Sequence, residues 1–474
     1  METATQALHR LTSYEPGREW TDPIDDPRIV QDLEVNDLSR LSWFFKRYAE
    51  GLPRVELPRD LPPTAAPAVA VLAGTADVPA GDLDLAQLSR VLHLGAGVVR
   101  TTERPFGIWY FRAAGSAGAR CPLEVYTAIP EGSSLPAGVH WYDALEHALV
   151  QVGPAPAGEA PAIVLTGVPW RTGWRYRERG FRHVYWDAGT MLSQLQAAAE
   201  SAGIPTALYT RFPDRQVSAL VGADGVHEWP VAVLALAGRP ALDPTGPTAT
   251  GEVDAAALEF PLVTEAQWAG ASDALGPAWE RGAPVEVEAE GRPVEQVVLA
   301  RSSQRRMDPS RGLSSSVLRT ALTVALRGIR VPHRVVVHDV GGVEPGIYRW
   351  PDVDTPARAG ALRQEVLVVA LEQTLARDAA FVVIAAADIS ALDDNAYREA
   401  QLAAGLAEGR LHLLAYALGA SASGMTFDDS LVPGLLGEQL DALLFTCVGV
   451  PPYAPVAGGP PGAPNEIAMV APRE

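Results

Sequence analysis

The sequence contains few of the residues that cross-link a chain or anchor it in a membrane. It has two cysteines, Cys121 and Cys447, and one lysine, Lys46. Two cysteines are too few for a disulfide framework or a cysteine metal site, so we expect core residues and no metal. No apolar run reaches the length of a membrane span. The first residues also lack the basic and apolar regions of a secretory signal, which predicts a cytoplasmic protein.

Positive charge is scarce as well. The chain has 38 basic side chains against 57 acidic ones, which gives a net charge of -19. This charge argues against nucleic acids and anionic membrane surfaces as partners, because both attract basic proteins. Hydrophobic residues make up 47% of the chain and charged residues 20%. A chain of this composition is expected to fold rather than remain disordered.

Stretches rich in proline and glycine divide the 474 residues. They predict a leader and linker over 1–67, a first domain over 68–238, a linker over 239–293 and a second domain over 294–474. The length is sufficient for two full hydrophobic cores.

The two domains repeat a series of features in the same order. Gly189 and Gly405, each at the end of a small-residue triplet, are 216 residues apart. An aromatic-arginine pair precedes each glycine, and an Ala-rich helical run, a Phe-x-Asp segment and a short apolar strand follow it. Four features in matching order indicate an internal repeat rather than chance similarity of Ala-rich helices.

The remaining pattern mixes helices with a few apolar strands, which predicts an α+β fold. No Gly-x-Gly-x-x-Gly segment follows a strand, so a dinucleotide-binding Rossmann unit is not supported. The predicted strands are PLEVYTAI, APAIVLTGV and VAVLALAG in the first domain and HRVVVHDV, AFVVIAAAD and ALLFTCVG in the second.

The second domain opens with a cluster of arginine and serine side chains, just before a helix predicted to start near Ser314. Arginine forks suit phosphate oxygens and ring carbonyls. An isolated cluster of this kind is more often a solvated turn, but the acidity of the chain and the place at a repeat start favour a binding role. The cluster contains Arg301, Ser302, Ser303 and Arg305.

This cluster resembles the Arg-x-Ser-x-Arg motif with which nitroreductase-fold flavoproteins bind FMN. The resemblance implies that Arg301 and Ser303 serve the phosphate and ribityl end, and that Arg305 faces the pyrimidine edge of the flavin. Ser302 stands where the family often has a second arginine.

A glycine-rich segment in the first domain resembles the family's second FMN-binding loop, which precedes a Pro-Leu-Glu strand. It runs from Gly115 to Ala119 before Pro122. The resemblance implies that Ser116 and Gly118 contact the cofactor, with Gly115 in place of the family's proline. Without the flanking match, a plain surface turn would be the better interpretation.

A third segment, residues 423–426, follows the second repeat helix, and the resemblance places Gly424 and Met425 near flavin N5. A plain helix-to-strand loop is an equally good interpretation of it. The arginine motif and the serine loop do not occur together in either domain. In the family two subunits share each site, so the resemblance implies an intrachain pseudo-dimer with one complete FMN site.

A narrower resemblance comes from residues 174–182, which are similar to the Lys-Tyr segment of SagB-type azoline dehydrogenases of ribosomal peptide biosynthesis. It implies that Tyr176 and Arg175 form the catalytic pair, with arginine in place of the family's lysine. Arginine is a poor base, so we expect it either to hold a substrate carbonyl or to lower the pKa of Tyr176. A salt-bridged helix start is the structural alternative.

The leading functional prediction is an FMN-dependent dehydrogenase that oxidises azoline rings of a ribosomally made peptide to azoles. Its partners would be a precursor peptide and cyclodehydratase proteins. One alternative is an NAD(P)H-dependent nitro or quinone reductase. The other is a non-catalytic scaffold in a peptide-modifying complex.

Overall fold

The computed structural model describes residues 2–17, 22, 24–287 and 290–471. The first half of the chain carries seven of the described helices. These are α1 (Ala4–Leu11), α2 (Ala68–Ala73), α3 (Leu85–Ala96), α4 (Pro169–Tyr176), α5 (Gly180–Glu200), α6 (Asp214–Val221) and α7 (Pro261–Ala269). Its strands are β1 (Arg54–Glu56), β2 (Val98–Arg104), β3 (Gly107–Arg112), β4 (Leu123–Ile129), β5 (Gly138–Asp143), β6 (Ala148–Gly153), β7 (Ala162–Gly167), β8 (Thr206–Tyr209) and β9 (Trp229–Leu236).

The second half repeats this mixture. Its helices are α8 (Val294–Ala300), α9 (Ser315–Ala325), α10 (Arg363–Val369), α11 (Thr374–Asp378), α12 (Asp394–Ala417) and α13 (Val432–Leu436). Its strands are β10 (Leu313–Ser314), β11 (His333–Val337), β12 (Val340–Gly341), β13 (Gly346–Arg349), β14 (Arg358–Ala359), β15 (Phe381–Ala387), β16 (Ser421–Met425), β17 (Asp441–Gly449) and β18 (Asn465–Glu466).

Each half is built on one large antiparallel sheet; the described residues also form two small sheets, β18-β2-β3 and β10-β12. The strand order is β1-β6-β5-β4-β7-β9-β8 in the first unit and β14-β13-β11-β15-β17-β16 in the second. Thus β4, β7, β9 and β8 correspond in order to β11, β15, β17 and β16. The six apolar segments predicted as strands are all strands, and the α+β prediction is confirmed.

The two units pack through their long repeat helices, α5 and α12. At the crossing a Cβ on Gly189 would lie 2.3 Å from the main-chain nitrogen of Leu406, and one on Gly405 would lie 2.4 Å from the carbonyl oxygen of Trp186. Only glycine permits so close an approach of two backbones. The repeat-related glycines therefore mark the pseudo-twofold axis, and the predicted intrachain pseudo-dimer is confirmed.

The other repeated residues form reciprocal ion pairs between the units. Arg182 of α5 lies 2.6 Å from a carboxylate oxygen of Asp429 in the second unit. Arg398 of α12 lies 2.8 Å from Asp214 in the first unit. All four side chains are buried. The aromatic-arginine and Phe-x-Asp features of the sequence repeat are thus the two halves of one interface contact.

Segments outside the two sheets also cross between the units. Thr5 of α1 donates from its backbone nitrogen to Asp394 at the start of α12 (2.7 Å). Near the other end of the chain, β18 pairs in parallel with β2 of the first unit. Residues 239–293, predicted as a linker, include α7, which packs on α1. No helix in the described residues combines the length and apolar character that a bilayer crossing requires.

Candidate active site between the units

The glycine-rich loop of the first unit receives an arginine from the second. Arg301 follows α8 and is buried. Its Nε and Nη2 donate to the carbonyl oxygen of Ala113, at 3.0 and 2.7 Å. Its Nη1 lies 3.4 Å from the position of a Cβ on Gly115. The structure therefore brings one residue of the predicted arginine motif to the predicted serine loop.

A carboxyl group on α5 is hydrogen-bonded to the backbone of this loop. Asp187 accepts a hydrogen bond from the backbone nitrogen of Ala117 at 3.0 Å. The Ser116 oxygen accepts from the backbone nitrogen of Cys121 at 2.8 Å. Gly118 has φ of 59°, the left-handed conformation that glycine adopts without strain. These contacts fix the loop without a ligand.

The predicted catalytic pair touches the same loop. A Cβ on Gly118 would lie 2.9 Å from the Tyr176 hydroxyl and 2.8 Å from Cδ of Arg175. Tyr176 is half-buried, with its ring 4.1 Å from the His183 ring. Arg175 is exposed and donates to the Asn36 side chain at 3.2 Å. Absence of a side chain at position 118 therefore lets the pair approach the loop.

The surroundings of Tyr176 act on its pKa in opposite directions. The charge of Arg175 lowers the pKa, which is one of the two expected effects of this arginine, but burial has the larger effect and raises the pKa above its ordinary value. The hydroxyl consequently keeps its proton near neutral pH. The burial of a tyrosine, and its effect on the pKa, cannot be predicted from the adjacent residues in the sequence.

The remaining residues of the arginine motif lie differently. Ser302 accepts through its carbonyl oxygen from the Tyr416 hydroxyl at 2.8 Å. Ser303 and Arg305 are exposed, and the backbone nitrogen of Arg305 donates to the Tyr453 hydroxyl at 3.1 Å. The structure does not bring these two side chains to the Ser116 loop, and their roles in binding FMN remain predictions.

The third predicted segment is a strand rather than a loop, because Ser421–Met425 pairs with β17 in full register. Gly424 lies directly against the carboxyl of Glu408 on α12, which occupies the space that a Cβ at this position would need. The Met425 sulfur instead lies 3.2 Å from Sγ of Cys447, within the apolar core of the second unit. Gly424 therefore borders the polar cluster between the units, whereas the Met425 side chain points away from it.

Sequence reasoning missed the two acids of this cluster, Asp187 and Glu408. Burial raises the pKa of Asp187 to about 7. Burial, together with the charge of Asp187, raises that of Glu408 to about 8. Glu408 lies 3.6 Å from Nε2 of His412 and 3.5 Å from the Thr190 hydroxyl. An acid within an Ala-rich helical run was the available signal, since such a helix buries most of its residues.

The cluster retains buried polar atoms that have no hydrogen-bond partner among the described residues. Such atoms are costly unless a ligand or water satisfies them. They combine donors with acceptors, which fits the phosphate, carbonyl and N–H groups of FMN. The atoms are Nη1 of Arg301, both ring nitrogens of His412, Oε1 of Gln304 and Oδ2 of Asp187.

The space beside these atoms is narrow. A small cavity, with room for about one water-sized group, is lined by Arg112, Ser116, Cys121 and Asp187 among others. It is too small for a flavin ring. FMN binding at this place would therefore require the loop and the side chains facing it to move apart.

The pseudo-symmetric position is built from other residues. The loop before β11 is the counterpart of the Ser116 loop, and the connecting segment 280–282 packs against it. A Cβ on Gly328 would lie 2.4 Å from the carbonyl oxygen of Glu280, and Arg327 donates to the carbonyl of Gly282 at 3.3 Å. Arg281 of this segment forms an ion pair with Glu200. The candidate site and its pseudo-symmetric counterpart are therefore lined by different residues.

Within the described residues, no group of three or more histidine, cysteine and acidic side chains is arranged to hold a metal ion.

Comparisons with known proteins show which fold this architecture resembles. No family model matches the chain. A crystal structure from Anabaena variabilis, of a protein that carries the provisional name nitroreductase, superposes with a TM-score of 0.73. The two chains are 21% identical, and the match covers 95% of this chain and 100% of the other. A protein of Methanocaldococcus jannaschii, also provisionally named a nitroreductase, is 26% identical over 167 residues, 32% of this chain and 79% of that protein. The chain therefore has the nitroreductase fold, in two tandem units that form a pseudo-dimer.

Proposed function

We propose that this protein is an FMN-dependent dehydrogenase that oxidises azoline rings in a ribosomally made peptide to azoles. The observation that carries the proposal is the convergence at one loop. Gly118 contacts the Arg175-Tyr176 pair of its own unit, while Ala113 binds Arg301 of the other unit. In the resembled family these are the elements that hold FMN and move a proton.

The residues have distinct parts in this proposal. Arg301, with its unpartnered Nη1, would bind an acceptor group of FMN, and its charge favours the electron-rich reduced state. Bound FMN would supply the acceptor for a hydride. Tyr176 holds a proton at its hydroxyl, because burial raises its pKa. Ser116 and Gly118 bring the loop backbone close to the ligand.

Arg175 gives the site its contact with a large substrate. Its guanidinium is exposed beside the leader segment that contains Asn36. The N–H groups of an exposed guanidinium can donate hydrogen bonds to a peptide carbonyl. The azoline ring of the same peptide would then reach Tyr176. A precursor peptide, presented together with cyclodehydratase proteins, is the corresponding partner.

A second candidate function, a non-catalytic scaffold, is favoured by one observation. Two nitrogens of Arg301 are already bound to Ala113, and the cavity beneath the loop accommodates only about one water-sized group. A degenerate site closed by its own side chains would have these properties.

The decisive experiment measures flavin content and peptide oxidation together. Purified protein, reconstituted with FMN in air, is incubated with a thiazoline peptide, and the loss of two hydrogen atoms is followed by mass spectrometry. We expect a yellow protein that produces the thiazole. A colourless protein without activity supports the scaffold. Bleaching of the bound flavin by NADPH, without peptide oxidation, supports a nitro or quinone reductase.

A further inference from the structure

The two buried acids of the composite site suggest a further role, which rests on the proposed function. Asp187 projects from α5 of the first unit and Glu408 from α12 of the second. Each lies close to the crossing of the two helices at Gly189 and Gly405. Each also binds a different edge of the candidate site.

The contacts of the two acids are complementary. Asp187 accepts from the backbone nitrogen of Ala117, on the loop that touches Tyr176. Glu408 lies against Gly424 of the second unit and accepts from the Thr190 hydroxyl of the first unit at 3.5 Å. Asp187 is buried, and the side chain of Glu408 is 12% exposed. The two acids therefore border the candidate site on the side formed by α5 and α12.

The pseudo-symmetry shows that these acids are particular to one site. The repeat offset of 216 residues places Ala403 opposite Asp187 and Leu192 opposite Glu408. Both counterparts are buried and apolar. The same fold position therefore packs well without any carboxyl group, and packing does not account for two acids at one site and none at the other.

We propose that Asp187 and Glu408 form a proton-holding carboxyl pair that takes up the proton released by the azoline substrate. In the reaction one ring carbon loses a hydride to FMN and its neighbour loses a proton, and the new C=C bond completes the aromatic ring. Tyr176 is protonated near neutral pH and cannot itself retain a second proton. The pair supplies the missing acceptor.

The charged surroundings of the pair support this role. Glu408 faces Arg301, Asp187, Cys447 and, on its own helix, His412. Burial lowers the pKa of His412 to about 3, so it is neutral. Asp187 also faces Tyr176 and Cys121. Because the pKa values of the two acids are raised to about 7 and about 8, the pair exchanges a proton near neutrality.

The test measures FMN affinity, independently of turnover, from about pH 6 to about pH 9. Ionisation of the pair places negative charge beside an anionic ligand, so we expect the Kd of FMN to rise about tenfold across this range, as for a pKa shift of about one unit on binding. Glu408→Gln and Asp187→Asn should each flatten the profile. The control is Glu399→Gln, since Glu399 lies on the same helix but pairs with Arg211 at 3.0 Å.

Turnover gives a second readout. The double variant should retain FMN but oxidise a thiazoline peptide roughly 10²-fold more slowly, the scale of a lost acid-base group. Glu408→Leu and Asp187→Ala introduce the side chains found at the pseudo-symmetric positions, where they pack in the folded protein. These variants control for a loss of binding that is caused by misfolding. If FMN binds with the same pH profile in all variants, the inference is overturned and the proposed function stands. If the wild-type chain binds no FMN, both are overturned.

Discussion

At the scale of single residues, Arg301 is the clearest test of the composite site. It is buried, and one of its nitrogens has no partner among the described residues. Arg301→Ala should weaken FMN binding by roughly 1.5–3 kcal/mol, the scale of a lost charge-assisted hydrogen bond. Calorimetric titration with FMN measures the effect. Arg319→Ala, at an exposed ion pair with Asp354, is the matched control, and equal affinities in both variants would contradict the assignment.

Tyr176 tests the proton step separately from cofactor binding. Burial raises the pKa of Tyr176, so its hydroxyl stays protonated and donates or relays a proton. Tyr176→Phe should leave flavin content unchanged and slow thiazoline oxidation by roughly 10²-fold, whereas Arg175→Lys should keep activity. Steady-state rates on the peptide measure this. Full activity of the phenylalanine variant would reduce the segment to a structural role.

Sequence reasoning predicted some residues of the candidate site because their neighbours form recognisable motifs. Arg301 and Ser116 lie in different units, yet the structure brings their segments together. The acids Asp187 and Glu408 were missed because a single carboxyl in an Ala-rich helix has no motif. The net direction of the Tyr176 pKa could not be predicted, because the dominant effect is burial, which depends on tertiary packing and not on local sequence.

At the scale of elements, the crossing of α5 and α12 depends on glycine. Alanine normally stabilises a helix by about 1 kcal/mol relative to glycine. At position 189, however, a Cβ would lie 2.3 Å from the Leu406 nitrogen, so Gly189→Ala should destabilise by roughly 1–3 kcal/mol. Urea unfolding measures the change. The control is Gly434→Ala in α13, where a Cβ meets nothing within 4 Å; equal effects at both positions would show that the crossing is loose.

The ion pair of Asp429 gives the interface a dependence on pH. Burial alone would raise the pKa of Asp429, but the charges of Arg179 and Arg182 hold it well below its ordinary value. The resulting stability is present above the unfolded pKa of about 4 and is lost as the pH falls toward the folded pKa. Asp429→Asn should cost roughly 3–5 kcal/mol at neutral pH and weaken the acid dependence of unfolding. Urea titrations at neutral and acidic pH compare the two proteins, and an unchanged acid profile would assign the dependence to other carboxylates.

The elements were more predictable than their contacts. All six apolar segments became strands, because short apolar runs of this length suit a buried sheet. Residues 423–426 were expected to be a loop, yet Ser421–Met425 pairs with β17. Its Ser, Ala and Gly residues have weak strand preference, and the neighbouring strand supplies the order.

At the scale of the whole molecule, the prediction concerns cooperation between the units. Arg301 and Ser116 come from different halves, so neither half, cut within 239–293, should retain FMN alone. Co-expressed halves should recover binding, and the intact chain should hold about one FMN. Absorbance of released flavin against protein concentration measures these ratios. Flavin retained by an isolated half, or two per chain, would rule out a single composite site.

The covalent connection between the units also bears on how such a protein can change over generations. In a homodimer every altered codon appears in both subunits, so neither of two equivalent sites can drift alone. Here Asp187 and Ala403 are encoded separately. One position can therefore accumulate acids while its counterpart accepts the connecting segment around Arg281. In a single chain, the two pseudo-symmetric positions can therefore diverge independently.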